Sequence, residues 1–262
     1  MKSEILKIEN LMKYYGGVVA VNDVSFSISQ GEILSLIGPN GAGKTTVFNC
    51  ITGLAHPNAG DISFASNGNP RIIANPKKML KPDVITELGI ARTFQNIRLF
   101  SSLSALNNVK VGRHCRSKKN VFGSILRTKS QRSEEQDILR KSIKYIIFVG
   151  LEQMIMEISS NLSYGDQRRL EIARALASEP KLLLLDEPAA GMNPKETADL
   201  INLIRRIRDS GVTILLIEHD MKVVMGISDR IVVLDYGRKI AEGTPEEIRN
   251  NPKVIEAYLG TD

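Results

Sequence analysis

Residues 38–46 read Gly38-Pro39-Asn40-Gly41-Ala42-Gly43-Lys44-Thr45-Thr46, the pattern G-x-x-x-x-G-K-[ST]. Glycines let successive backbone N–H groups turn inward and cradle phosphate oxygens. The preceding Glu32–Ile37 (EILSLI) is an apolar run of strand length, and Lys44–Leu54 has helical spacing. Strand, glycine loop and helix make a phosphate-binding unit, with the positive end of the helix dipole added to the loop. In such a unit Lys44 reaches the β- and γ-phosphates and Thr45 ligates Mg²⁺. The loop alone predicts binding of a nucleoside triphosphate and leaves open what its hydrolysis drives.

A second stretch completes that chemistry. Leu182–Pro188 (LLLLDEP) is a buried-type strand ending in two carboxylates. Asp186, at the strand end, is placed to hold Mg²⁺ and its waters, and Glu187 to polarise the attacking water as general base. An Asp-Glu pair at a strand end is commonly a capped turn; beside a phosphate loop it reads as the other half of an NTPase site. Lys181–Leu185, Val212–Ile217 and Ile231–Leu234 read as buried parallel strands, separated by helical segments such as Pro194–Asp209. Together they predict an α/β doubly wound core.

Outward from that core, residues 5–10 and 18–28 alternate apolar and polar, as half-buried strands do. Residues 61–82 hold three prolines, asparagine-glycine turns and several lysines, which predicts an edge strand and a surface loop. From Asp83 to Ile158 the spacing is mostly helical. Residues 113–132 carry seven Lys or Arg and no acid, read as a solvated helical face, with a head-group or partner contact as the sharper alternative.

Composition bounds the rest. The 262 residues are 42% hydrophobic and 24% charged, with a net charge of +6, which suits polyanions without choosing among them. Cys50 and Cys115 are too few for a disulfide framework and suggest a reducing compartment. No leader-type apolar segment opens the chain, and no run approaches the ~18 apolar residues of a membrane helix. Any work at a membrane therefore needs other chains to span it.

Between the two NTPase motifs lies NLSYGDQRRLEIARALA, Asn161–Ala177. It resembles the LSGGQ signature of ABC ATPases, here Leu162-Ser163-Tyr164-Gly165-Asp166, and the order of the three motifs is that family's. The resemblance implies a P-loop NTPase fold of ABC type, a RecA-like core with an antiparallel β subdomain and a helical subdomain. It implies one cassette over 1–262: ATP-binding core and β subdomain over 1–84 and 165–240, helical subdomain over 85–164, C-terminal helical extension over 241–262. It implies two cassettes facing head to tail, with Ser163, Tyr164 and Gly165 of one meeting the γ-phosphate held by the other. Gln95 in Phe94-Gln95-Asn96 would sense Mg²⁺ and the attacking water. His219, after VTILLI, would contact the γ-phosphate and orient Glu187. Tyr15 would stack on adenine, although Tyr14 is adjacent and core packing is the alternative. Asn193 stands in the loop after the Asp-Glu pair where many relatives have aspartate, and Tyr164 and Asp166 replace the usual glycine and glutamine. Asp166, being negative, is assigned no phosphate contact.

The stretches Gly89–His114, Pro188–Pro194 and Glu242–Gly260 are similar to the ATP subunits of branched-chain amino acid importers. That resemblance implies ATP and Mg²⁺ as ligands and a second ATPase, identical or merely related. It also implies two membrane permease subunits, an external binding protein reached indirectly, and a place on the cytoplasmic face of the membrane. Related transporters of urea, amides or lipopolysaccharide are the nearer alternative, and a soluble ABC ATPase the more distant. Nucleic acid is not an expected partner: there is no zinc-type cysteine set and no coiled-coil insertion.

Overall fold

In the computed structural model the described residues are 3–65, 68–116 and 129–259. Backbone contacts divide the chain into two units, Met1–Arg92 with Lys181–Asp262, and Thr93–Pro180. Among the described residues no helix is long and apolar enough to cross a membrane.

The first unit is built on two sheets. β1 (Glu4–Tyr15) and β2 (Val18–Ser29) form a hairpin whose side chains alternate between core and solvent. β4 (Ala59–Phe64), β5 (Arg71–Asn75) and β6 (Lys78–Met79) extend it into an antiparallel sheet of order β2-β1-β4-β5-β6. The second sheet contains β3 (Ile33–Ile37), β7 (Ile90–Arg92), β8 (Leu182–Asp186), β9 (Thr213–Ile217), β10 (Arg230–Asp235) and β11 (Arg238–Gly243). Its order is β11-β10-β3-β9-β8-β7, parallel throughout except for β11. Every residue of β3, β8 and β9 is buried, which explains their unbroken apolar runs: side chains on both faces are covered.

One cluster of buried side chains joins Ile8 and Phe26 of the antiparallel sheet, Val47 and Phe48 of α1 (Lys44–Ile51), and Leu36, Leu184 and Leu215 of the parallel sheet. Ile37, Ile231 and Val233 belong to another, with Val224 of α7 (Met221–Ile227), Ile248 of α8 (Pro245–Arg249) and Val254 of α9 (Pro252–Leu259). α2 (Pro82–Leu88) and the amphipathic α6 (Pro194–Asp209) complete the described helices of this unit.

The second unit is helical: α3 (Ala105–Arg113), α4 (Lys129–Phe148) and α5 (Tyr164–Leu176). Buried Asn108 of α3 donates to the carbonyls of Phe100, Leu103 and Ser104 and accepts from the Phe100 N–H, which pins the loop before the helix.

Three expectations change. Residues 61–82 are more strand than loop, because Asn75 Oδ1 accepts from the Lys77 and Lys78 N–H groups and turns β5 back into β6. Ser66 and Asn67 lie outside the described residues. The units divide at 92/93 and 180/181 rather than at 84/85 and 164/165: Ile90–Arg92 hydrogen-bonds along β8, whereas α5 packs on α3 and α4. Arg113, expected on a solvated face, is buried, its guanidinium paired with Glu179 at 2.9 Å and donating to the Ala177 carbonyl. Residues 117–128 of that basic stretch lie outside the described residues.

Candidate nucleotide site

β3, β9 and β8 are neighbours and parallel, so their C-terminal ends open on one edge of the sheet. Ligands of open α/β sheets bind at such edges. The Gly38–Gly43 loop leaves β3, Glu218 and His219 leave β9, and Asp186 and Glu187 end β8. Segments that begin at residues 38, 186 and 218 thus meet through strand order.

The loop is shaped by close approach. Gly38 has φ 148°, and a Cβ there would lie 2.0 Å from the Leu234 carbonyl oxygen. Gly43 has φ 99°, and its Cβ would meet the Ala20 carbonyl at 2.4 Å. No L side chain fits either place without moving backbone. Gly43 caps α1 with no side-chain hydrogen bond, so no cap competes for the first N–H groups of the helix. Pro39, Asn40, Gly41 and Ala42 make the intervening turn, closed by the Ala42 N–H donating to the Pro39 carbonyl. Lys44 folds back over it, Nζ donating to the Gly38 carbonyl at 2.7 Å and the Pro39 carbonyl at 2.9 Å. Burial lowers the Lys44 pKa, against the pull of Glu187 and Asp186. Tyr15 is half exposed and has Lys13 Nζ 4.6 Å from its ring centre. Tyr14, its neighbour on the alternating strand, instead donates its backbone N–H to Asn58.

Glu187 sits at φ 47°, a left-handed conformation rare for a non-glycine residue. Its N–H donates to the Ile217 carbonyl, which locks the turn to β9. Its Oε2 lies 3.6 Å from His219 Nδ1, and the imidazole is 62% exposed. A half-open histidine beside a carboxylate can orient it and still reach an incoming anion. Glu218, which sequence reasoning passed over, is buried and accepts from the Ala189 N–H at 2.8 Å and the His219 N–H at 3.2 Å. Burial raises its pKa, partly offset by those donors. Its signal was an acid at the end of an apolar strand, where only an internal hydrogen-bond role excuses the burial.

Thr45, exposed at the start of α1, and Asp186, at the end of β8, are hard oxygen donors of the kind Mg²⁺ takes. Among the described residues no three His, Cys, Asp or Glu form a metal-holding group. Asp186 Oδ2 is 2.7 Å from the Arg92 guanidinium.

The remaining predicted residues belong to the helical unit or to α6. Gln95 is exposed at its side chain, and its carbonyl accepts from Arg168 at 2.7 Å. Arg168 is fully buried, also donating to the Phe94 carbonyl and pairing with Glu171 at 2.8 Å. α5 therefore holds the backbone of the Gln95 segment directly. Ser163 caps α5, its Oγ accepting from the Asp166 N–H and donating to the Asp166 carboxylate at 2.7 Å. Tyr164 is half exposed with Arg168 donating to its hydroxyl, and Gly165 is buried. Asn193 Oδ1 accepts from the Lys195 and Glu196 N–H groups, closing a capping box on α6.

Residues 21–190 match the family described as ABC transporter, and residues 238–262 the one described as branched-chain amino acid ATP-binding cassette transporter. The chain is 48% identical over 261 residues to the high-affinity branched-chain amino acid transport ATP-binding protein LivG of Salmonella typhimurium, covering 99% of each. It is 44% identical to BraF of Pseudomonas aeruginosa, of the same description, again over 99% of each. Among solved structures, a nucleotide-free ATP-binding cassette from an ABC transporter superposes with TM-score 0.83 at 33% identity, over 99% of this chain and 100% of that one.

Proposed function

The chain belongs to the ABC transporter ATP-binding family, and from that premise we propose that it is the ATPase subunit that energises import of branched-chain amino acids. The observation that carries the ATPase part is the convergence, on one edge of three adjacent parallel strands, of the phosphate loop, Asp186–Glu187 and His219. The cargo part is supported by full-length similarity to proteins named for that transport and by the match over residues 238–262.

The loop N–H groups and Lys44 bind the β- and γ-phosphates, and Tyr15 lies against the adenine. Thr45, Asp186 and Gln95 would hold Mg²⁺, which when bound neutralises phosphate charge. Glu187 takes a proton from the attacking water while His219 holds the carboxylate in line. Lys44 donates to its own loop carbonyls here, and phosphate oxygens are the stronger acceptors that draw it away.

Two such ATPases, identical or related, close on ATP head to tail, each Ser163 reaching the γ-phosphate on the other. In this chain Ser163 Oγ already donates to Asp166, so closure replaces a short internal hydrogen bond with one to phosphate. ATP favours the closed pair only because both chains bind it there, and hydrolysis removes that differential affinity. Asn193 adds contacts across the pair with the side-chain groups its capping role leaves over. Two membrane permeases feel closure and opening, an external binding protein delivers the amino acid, and the ATPase works at the cytoplasmic face of the membrane.

The direct test is uptake of labelled leucine, isoleucine and valine by cells lacking the chain and supplied with it or with Lys44→Ala. Uptake is restored by the wild type alone. Equal uptake with both variants contradicts the coupling, and restored uptake of urea alone moves the cargo to the related transporters.

A further inference from the structure

Arg92 is the last residue of β7, paired in register with Leu184 two positions before Asp186. One arm of its guanidinium lies 2.7 Å from Asp186 Oδ2, with the two side chains 7% and 4% exposed. The other arm donates to Asn49 Oδ1 at 2.7 Å, and the guanidinium lies 5.4 Å from the ring centre of Phe48. Asn49 and Phe48 both belong to α1, the helix that begins at the phosphate loop. A single rigid fork therefore ties the carboxylate at the end of β8 to the phosphate-binding helix.

Asp186 has two electrostatic demands to meet. With a divalent cation nearby its charge is balanced. Without one, a carboxylate withdrawn from water faces a site shaped for a polyanion, and the phosphates repel it. The Arg92 guanidinium supplies positive charge on the same carboxylate in the absence of metal.

We propose that Arg92 is the stand-in counter-ion of Asp186, and that it determines how strongly nucleotide binding depends on Mg²⁺. The proposal rests on the assignment of Asp186 to the metal. Arg92 is a positioning residue in this account, acting through the charge of Asp186. Removing it takes away a buried positive charge 2.7 Å from Asp186; bound metal can replace that charge and EDTA cannot, so the two affinities separate.

The test is the affinity of the purified chain for a fluorescent ATP analogue, in excess Mg²⁺ and in excess EDTA. For Arg92→Gln, affinity in EDTA is expected to fall at least fivefold while affinity in Mg²⁺ changes less than twofold. Arg92→Met, close in shape to the arginine stem, is the second variant should the first not fold. Arg92→Lys keeps the charge without the fork and is expected to recover most of the loss in EDTA. Adding Asp186→Asn to Arg92→Gln is expected to abolish the EDTA-specific loss, because the carboxylate charge that Arg92 balances is gone. A loss of equal size in both conditions, or none in either, overturns the proposal. If Asp186→Asn alone leaves the Mg²⁺ dependence of the wild type intact, the metal assignment fails first and takes the proposal with it. If that variant loses the dependence while Arg92→Gln keeps the wild-type ratio, only the proposal fails.

Discussion

At the scale of single residues, the proposed chemistry rests on one carboxylate held in an uncommon backbone conformation. Glu187 at φ 47° persists because its N–H is fixed to Ile217 and the turn after it is held by Glu218. Strain of this kind survives only where the surroundings over-determine it. Glu187→Gln keeps the shape and loses the base, so ATP affinity is expected to hold while turnover falls by about 10²–10⁴; binding and phosphate-release assays on the same sample check both. Glu218→Ala removes the acceptor of two backbone N–H groups at a buried position. Its expected cost is about 1–3 kcal/mol of stability by denaturant unfolding, together with reduced turnover as His219 loosens. Lys44, Asp186, Glu187 and His219 were legible in the sequence because each follows an apolar strand at motif spacing. Glu218 and Arg168 were not, because their roles lie in backbone carbonyls and N–H groups that no spacing reveals.

At the scale of elements, caps and ion pairs decide what holds still. Asn193→Ala opens the capping box of α6 and is expected to cost about 1 kcal/mol, read as a shift in the denaturant midpoint without change in slope. In the helical unit Glu179 joins Arg113 of α3 to Lys141 of α4, at 2.9 Å and 3.0 Å. Burial pushes its pKa up, but hydrogen bonds and charge from Arg113 and Lys141 outweigh it and leave the pKa below 4.5. A lowered carboxylate pKa contributes stability above the unfolded value and loses it as pH falls through the folded one. The melting temperature of wild type should therefore exceed that of Glu179→Gln at neutral pH, with the gap closing as pH drops below about 4.5. A gap independent of pH would mean that packing rather than charge holds this contact. The short strands β5 and β6 escaped the sequence because Pro70, Pro76 and Pro82 crowd the segment. All three fall outside the strands, Pro82 at the first position of α2.

At the scale of the molecule, the order of motifs along the chain foretold the fold better than the local reading of any element. A phosphate loop, a signature and an Asp-Glu strand, with apolar runs between, permit few arrangements other than a parallel sheet with its ligands at one edge. The unit boundaries were less legible, since β7 is three residues long and α5 carries no mark of which neighbours it packs on. Cargo leaves no mark on the catalytic residues, and the case for it comes from similarity along the whole chain.

The central claim is best tested with the ATP-loaded Glu187→Gln chain, recovered from gently solubilised native membranes and its companions identified by mass spectrometry. The account expects two polytopic permeases, with an amino-acid-binding protein alongside. Recovery with a soluble scaffold or nucleic acid and no membrane protein would contradict it, leaving an ATPase that is not a transporter subunit.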